Sequence, residues 1–141
     1  MIDLGIRAQQ PEDIPFIFAT WLWCVALCSP GKHSAKSRTA YRQHRRVVES
    51  ILSRSATLVA HLPDDPNIII GYICVEKLPA PSARPVIHFL YVKGPWRNMG
   101  VGKLLLGELD PNVCCCSHMS KGLQEFLPKY PGLIYNPKLA R

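Results

Sequence analysis

The sequence predicts a single α/β domain in which helices flank a mixed, mostly antiparallel central sheet. The chain has 141 residues, of which 48% are hydrophobic and 19% are charged, and this fits one domain with one core spanning residues 1–141. The apolar pattern has a helical period in the first third of the chain and becomes strand-like after residue 55. After the strand-like segments, two more helices follow, and each leads into a short strand.

The first part of the chain predicts one strand and two helices. A short apolar strand at residues 4–8 leads into Gln-Pro-Glu-Asp, which is a helix-start sequence. Residues 16–27 are apolar on nearly every side, and this predicts a well-buried helix. Residues 37–53 predict a second helix, with an apolar stripe opposite several arginines.

An antiparallel meander is expected next. Residues 56–62, 68–78 and 86–92 are rich in β-branched and apolar side chains, and short or proline-rich connections join them. Three consecutive strands with such connections favour antiparallel pairing.

The last third predicts a parallel crossover. A helix at residues 102–109 and a strand at 113–118 complete a right-handed strand–helix–strand unit with the preceding strand. A helix at 120–127, which a proline ends, and a short strand at 133–135 close the fold.

Charge and cysteine content narrow the class of protein. Lys and Arg total 17 against 10 Asp and Glu, giving a net charge of +7. This favours an acidic protein, a nucleic acid or a phosphorylated cofactor as partner, and a solvated basic surface explains it equally well. The six cysteines lack the paired spacing of a zinc site, so we expect no metal, buried reduced thiols and a cytoplasmic location. No apolar stretch near the start is long enough to cross a bilayer, so no membrane partner is expected.

The strongest functional signal lies where the third strand of the meander ends and a helix begins. Two glycines and a lysine occupy this turn, and glycine backbone at a helix start favours anion binding. The turn is not a P-loop, because Arg97 stands at the first glycine position and Leu104 replaces Ser or Thr. It fits the dinucleotide fingerprint poorly, because Leu105 stands at the third glycine position.

A third pattern, R/Q-x-x-G-x-G/A, is met in full by Arg-Asn-Met-Gly-Val-Gly at residues 97–102. With Leu-Tyr-Val before the turn and the order of elements above, the sequence resembles the GCN5-related N-acetyltransferase (GNAT) superfamily over residues 6–132. The resemblance implies an acyl-CoA N-acyltransferase-like fold that binds acetyl-CoA, with the pyrophosphate in the glycine turn. The residues it implies for the cofactor are Leu90, Tyr91, Val92, Arg97, Asn98, Met99, Gly100, Val101, Gly102, Lys103 and Ser120. Residues 6–22 also resemble small bacteriophage-encoded acetyltransferase-like proteins, which would act in the host cytoplasm.

Acetyl transfer to an amine needs a group that takes the amine proton. The resemblance places His88 where arylalkylamine acetyltransferases carry a histidine, and an imidazole titrates near neutral pH. Strand alternation predicts that His88 shares a face with Leu90 and Val92. The alternative is a hydrogen-bonded core histidine, and His118 is then the second candidate for the catalytic group.

The residues expected for the general acid, which would protonate the leaving thiolate, match the family pattern less well. Ser120 and Leu127 stand where the resemblance expects an Asn and a Tyr. Tyr130 is the candidate that could substitute, a packing role explains it equally well, and His118 is the second candidate for the general acid. These departures leave open that thiolate protonation is left to water, or that the protein is slow or binds only CoA.

The sequence therefore predicts an acetyl-CoA-dependent N-acetyltransferase that acts on a primary amine, a protein lysine or a small molecule, by direct transfer in a ternary complex. A cysteine acyl-enzyme is not expected, because thiol pKa values rise in apolar strands. The basic segment 32–54 would suit an acidic peptide around a lysine, or an RNA. The alternatives are a catalytically weak module that binds CoA or a host factor, and a basic nucleic-acid-binding domain without a cofactor.

Overall fold

The computed structural model describes residues 3–28, 38–80, 82–118 and 121–140, in which a mixed sheet is flanked by helices. The strands, in the order in which they pair, are β1 (Gly5–Ala8), β2 (Ala56–Leu62), β3 (Asp65–Glu76), β4 (Val86–Val92), β5 (Cys115–Cys116) and β6 (Ile134–Tyr135). The helices are α1 (Ile14–Cys28), α2 (Arg38–Arg54), α3 (Val101–Leu106) and α4 (Lys121–Phe126). The predicted fold class is confirmed.

Strand pairing changes direction at β4. The sheet is antiparallel from β1 to β4 and parallel from β4 to β6, which confirms the predicted meander and the parallel β4–α3–β5 unit. β5 pairs with β4 only at Val86 and Ile87. The two strands therefore separate beyond Ile87 and form a fork.

Three elements depart most from the predicted bounds, and most of the others shift by one or two residues. β3 begins at Asp65 instead of residue 68, because a turn of two residues is enough to reverse the chain after Leu62. The strand predicted at 113–118 is reduced to β5, because a 3₁₀ turn precedes it, in which the Asp110 side chain accepts from the Asn112 N–H at 3.2 Å. α3 ends at Leu106 instead of residue 109. The predicted starts of α2 and α4, at residues 37 and 120, lie outside the described residues.

The sheet separates two apolar cores. On one face, α1 and α2 cover a core that includes Trp21, Tyr72 and Phe89, and we call this the α1–α2 face. On the other, the α3–α4 face, the core includes Leu90. The prediction that α1 is buried all round was wrong. It covers one side of the sheet only, so its outer side meets solvent and Trp23 is 66% exposed.

Three of the described cysteines are buried in or next to the sheet. Cys74, Cys114 and Cys116 are free thiols, and burial raises the pKa of each to about 11. Thiols of this kind are poor nucleophiles at neutral pH. In the described part of the chain, no helix is long and apolar enough to cross a membrane, and no cluster of three or more His, Cys, Asp or Glu side chains could hold a metal ion.

Candidate functional site

The fork leaves one edge of β4 open. β3 pairs along the whole of β4, whereas β5 leaves it after Ile87. The Lys93 N–H donates to the Ile70 carbonyl at 2.8 Å, and alternate residues of an antiparallel pair point toward the partner strand. The main-chain groups of Leu90 and Val92 therefore point away from β3, into the fork.

Leu90, Tyr91 and Val92 are the strand residues implied for the cofactor, and Tyr91 differs from the other two in the direction of its main-chain groups. Its main-chain groups point toward β3, and its ring lies on the α1–α2 face, stacked on Tyr72 with ring centroids 5.5 Å apart. Leu90 is buried and Val92 is partly exposed. The main-chain groups of the strand that face the fork are thus those of Leu90 and Val92.

The glycine turn lies beyond the end of β4. The Arg97 Nε donates to the Val92 carbonyl at 3.1 Å, which ties the turn to the strand. Asn98 and Gly100 have left-handed backbone, with φ of 63° and 87°, and Gly100 is the N-cap of α3. The first N–H groups of a helix have no acceptor within it. The exposed turn therefore presents these groups together with the charges of Arg97 and Lys103.

The two glycines of the turn have different roles. A Cβ on Gly100 would meet nothing within 4 Å, so space is open there. A Cβ on Gly102 would lie 3.0 Å from the Phe126 ring of α4. Val101 is buried beside it, whereas Met99 is 48% exposed. Gly102 thus allows α3 to pack against α4, and Gly100 lies on the side where a ligand could approach.

We expect the substitution Gly102→Val to act on stability. The larger side chain overpacks the α3–α4 contact, so the free energy of unfolding should fall by about 1–3 kcal/mol. Phe126→Leu in the same chain should recover part of the loss, since it opens the space that the valine needs. Urea unfolding of the two single variants and the double variant measures this. A Gly102→Val protein of unchanged stability would contradict the packing role.

A β-bulge in β4 sets the position of His88. Cys74 of β3 is opposite Phe89, and the next residue, Val75, is opposite Ile87. His88 is therefore the extra residue of a bulge, and a bulge breaks the strict alternation of side chains between the two faces.

The prediction that His88 shares a face with Leu90 and Val92 was wrong for this reason. Its Nε2 lies 2.8 Å from Oε1 of Glu76, and that carboxylate also accepts from Nε of Arg54 on α2, at 3.0 Å. His88 is thus on the α1–α2 face, whereas Leu90 and Val92 pack on the α3–α4 face.

Both ring nitrogens of His88 are occupied, and the side chain is fully buried. Nδ1 lies 2.6 Å from the Ser117 Oγ, and Nε2 is bonded to Glu76. Burial lowers the pKa of His88, and the Glu76 carboxylate opposes this only in part. Burial alone would raise the pKa of Glu76, but hydrogen bonds from His88 and Arg54 leave it below its ordinary value. The resting state is a neutral His88 beside an ionised Glu76, away from solvent.

His118 follows β5 at the fork and is partly exposed. Its Nδ1 lies 3.0 Å from Ser117 Oγ. Burial lowers the pKa of His118 to about 4, the charges of His88 and His44 act in the same direction, and a hydrogen bond with the His88 backbone opposes them. His118 is therefore neutral at physiological pH.

Trp21 of α1 fixes the ring of His118 from the other side. The two rings meet edge to face, with centroids 5.8 Å apart, and Trp21 is stacked on Phe89 at 4.8 Å. The buried Trp21 Nε1 has no hydrogen-bond partner among the described residues. A buried polar group of this kind leaves a donor for water or a ligand oxygen near His118.

Tyr130 belongs to the other side of the sheet. It stacks on Phe126, with ring centroids 6.4 Å apart, and packs against the core of the α3–α4 face. None of the contacts described for it reaches His88 or His118. Ser120 lies outside the described residues, and its role stays a prediction.

Sequence reasoning missed Glu76 and Ser117, which join His88 to its surroundings. Both are buried polar residues at the ends of apolar strand sequences. A carboxylate at such a position is rarely buried without a partner, and that was the available signal. The partner itself depends on the bulge at His88, which no local pattern predicts.

The fold and the fork define the class of the protein, the acyl-CoA N-acyltransferase-like proteins. The chain belongs to the acetyltransferase (GNAT) family, whose sequence profile matches residues 20–110, more than half of its length.

Solved structures share this fold at low sequence identity. A GNAT-family protein from Staphylococcus aureus is 16% identical, with a TM-score of 0.55, over 74% of this chain and 87% of that one. One from Desulfovibrio desulfuricans is 17% identical, with a TM-score of 0.50, over 79% of this chain and 66% of that one, so this chain spans just under two thirds of its length. The PaiA N-acetyltransferase of Thermoplasma acidophilum, solved with coenzyme A, is 18% identical, with a TM-score of 0.49, over 76% of this chain and 69% of that one. No curated protein is significantly similar to the chain in sequence.

Proposed function

We propose that the protein transfers an acetyl group from acetyl-CoA to a primary amine of a protein or a small molecule, directly within a ternary complex. Its membership of the family supports acetyl transfer in general. The observation that carries the proposal is the open edge of β4, which connects the glycine turn at one end with His88, Ser117 and His118 at the other.

The residues present fit the cosubstrate, acetyl-CoA. A diphosphate suits the open space at Gly100, where N–H groups of α3 and the charges of Arg97 and Lys103 converge. The two amides of a pantetheine arm can pair with the main-chain groups of Leu90 and with the N–H of Val92, in the manner of an added strand. The Val92 carbonyl already accepts from Arg97. From Val92 to the fork the strand rises about 13 Å, which suits an extended arm with its thioester near His118.

His118 takes the role of the base in this arrangement. It is partly exposed at the fork, whereas His88 is enclosed and has both nitrogens bonded. An amine that attacks the thioester must lose one proton, and a neutral imidazole accepts it. A cysteine nucleophile is disfavoured, because Cys116 is the described cysteine nearest in sequence and burial raises its pKa to about 11.

The acceptor reaches this base past α2. The charge of His44 on α2 contributes to the low pKa of His118, which supports an approach along this helix. Arg42, Arg45 and Arg46 are exposed on the same helix. An acceptor with negative charge near its amine, such as a lysine in an acidic peptide, fits this surface best.

Acetyl-CoA is expected to raise the melting temperature. A ligand that binds only the folded state stabilises it by about 2.7 kcal/mol at 100-fold excess over its Kd. Gly100→Asn should abolish the shift, because asparagine tolerates the left-handed backbone while its side chain fills the open space. Gly94→Asn is the matched control, since a Cβ there also meets nothing within 4 Å and the residue precedes the turn. No shift at millimolar acetyl-CoA would reject the cosubstrate.

Acetyl transfer itself is tested with isotopically labelled acetyl-CoA. The protein is incubated with a cell lysate and with panels of acidic and basic lysine peptides, and acetylated products are identified by mass spectrometry. We expect labelled amines, with acidic peptides preferred. A thermal shift without any labelled amine would reject the transferase and favour a CoA-binding module.

A further inference from the structure

We propose that Glu76, His88 and Ser117 act as a positioning relay that holds His118 in its Nδ1–H tautomer and leaves its Nε2 lone pair available to the acceptor amine. The proposal rests on the proposed function, in which His118 takes the amine proton. It concerns how the fold prepares His118 for that step.

The direction of every hydrogen bond in the relay follows from its first member. Glu76 is ionised and can only accept, so His88 must donate to it from Nε2. A neutral His88 then carries a lone pair on Nδ1, and the Ser117 hydroxyl donates to it across 2.6 Å. The single proton of Ser117 is used there, so its oxygen accepts from His118, whose Nδ1 lies 3.0 Å away. This leaves Nε2 of His118 without a proton.

The arrangement of Glu76, His88 and Ser117 is also that of a carboxylate–imidazole–hydroxyl nucleophile. The distances would allow it, but Ser117 is 2% exposed and His88 is fully buried. A hydroxyl in that position cannot approach a thioester carbon without rearrangement of the strand. A relay explains the same distances, and it also accounts for the hydrogen bond between Ser117 and His118.

The relay also gives the amine proton a place to go. As the amine forms its bond to the acetyl carbon, one proton passes to Nε2 of His118. The Nδ1 proton of His118 can then move to Ser117, and the Ser117 proton to Nδ1 of His88, which becomes an imidazolium beside Glu76. The thiolate that leaves when the C–S bond breaks takes one proton from water, and His88 returns its proton along the same path.

The charges around the relay determine where the proton is most stable. His88 faces Glu76 of β3, and Arg54 of α2 reaches the same carboxylate. His118 is influenced by His44 of α2, and it meets the ring of Trp21, the bonded Ser117 and the His88 main chain, with which it shares a hydrogen bond. The one negative charge of the group is on Glu76, so an added proton is held better on His88 than on His118.

Nitrogen-15 NMR of the histidine rings tests the tautomer without any need for turnover. In the protein at pH 7, His118 should show a protonated Nδ1 and an unprotonated Nε2, which is the less common form of histidine in water. Ser117→Ala should return His118 to the common Nε2–H form, and Ser117→Thr, which keeps the hydroxyl, should retain the Nδ1–H form. Ser55→Ala, which removes another buried hydroxyl outside the relay, is the matched control.

Kinetics of the same variants give the second readout. With a peptide substrate, Ser117→Ala should lower kcat by roughly 10–100-fold at an unchanged KM for acetyl-CoA, the usual effect of losing a residue that orients a functional group. Ser117→Thr should restore most of it. Nε2–H on His118 in the unsubstituted protein, or a tautomer that does not respond to Ser117→Ala, would overturn the relay. The expected tautomer in a protein that acetylates no amine would instead reject the proposed function and uphold the positioning.

Discussion

Replacement of His118 by alanine is expected to lower kcat by about 10²–10⁴-fold at pH 7, the usual contribution of a general base. The KM for acetyl-CoA should change little, because the pyrophosphate turn lies at the far end of the open edge of β4. Steady-state kinetics with an acetylated peptide as product measures both parameters.

The pH dependence of kcat/KM distinguishes ionisation of His118 from ionisation of the acceptor amine. Burial and its neighbours lower the pKa of His118 to about 4, so it is already neutral between pH 6 and 8. An increase of kcat/KM with pH in this range therefore reports deprotonation of the acceptor amine. The same increase should be seen in His118→Ala. The defect of His118→Ala should stay about constant between pH 6 and 8, because His118 is neutral throughout that range and both proteins need the same neutral amine.

A second histidine on the sheet supplies the control. His61 of β2 bonds only to the adjacent Leu62 carbonyl, at 2.7 Å, among the contacts described for its ring nitrogens. His61→Ala should leave kcat unchanged. A folded His118→Ala protein with wild-type kcat on its acceptor would place the base elsewhere.

The large elements could be predicted from the sequence because each depends on a local pattern. β2 and β4 have the predicted bounds, since alternating β-branched residues and flanking turns define them. The glycine turn could be located because a left-handed residue at Gly100 requires a glycine or a similar residue there. The role of Gly102 could not be assigned, because its neighbour Phe126 is distant in the sequence.

The environment of the catalytic candidates was harder to predict from the sequence, because it depends on the pairing register of β3 and β4. A single extra residue at His88 moves its side chain to the other face of the sheet, and strand alternation cannot show such a bulge. The sequence identified both histidines that the structure brings together. It did not show that Ser117 links them or that Glu76 sets their protonation.

Replacement of His88 by leucine is expected to destabilise the fold. Replacement of a solvent-facing base would instead lower turnover without lowering stability. The change removes one hydrogen-bond partner from each of two buried residues, so that, among the described residues, Glu76 keeps only Arg54 and Ser117 keeps only His118. A lost buried hydrogen bond costs about 1–3 kcal/mol. Arg54 still neutralises Glu76 in part. We therefore expect the free energy of unfolding to fall by about 2–4 kcal/mol, a large part of the 5–15 kcal/mol of a typical domain.

The free energy of unfolding should also fall at acidic pH, because His88 and Glu76 are held in their unprotonated forms in the native protein. The folded state lowers the pKa of both His88 and Glu76, so the unfolded state binds more protons as the pH falls. The stability of the neutral, buried His88 is fully present above its unfolded pKa, about 6.5, and is lost as the pH falls toward its folded value. Urea unfolding between pH 8 and pH 5 should show this loss in the wild type and a smaller loss in His88→Leu.

A double-mutant cycle with Glu76 isolates the pair. Glu76→Leu with His88→Leu replaces both buried polar groups by apolar ones and leaves Arg54, whose side chain is 32% exposed, free to meet solvent. Such a replacement is often neutral, so the double variant should be more stable than His88→Leu alone. His61→Leu changes a partly buried histidine whose described ring contact is the adjacent Leu62 carbonyl, and it should destabilise less than His88→Leu. If His88→Leu were as stable as wild type, or if the two substitutions were additive, His88 would not be held by Glu76, and its place in the relay would be lost with it.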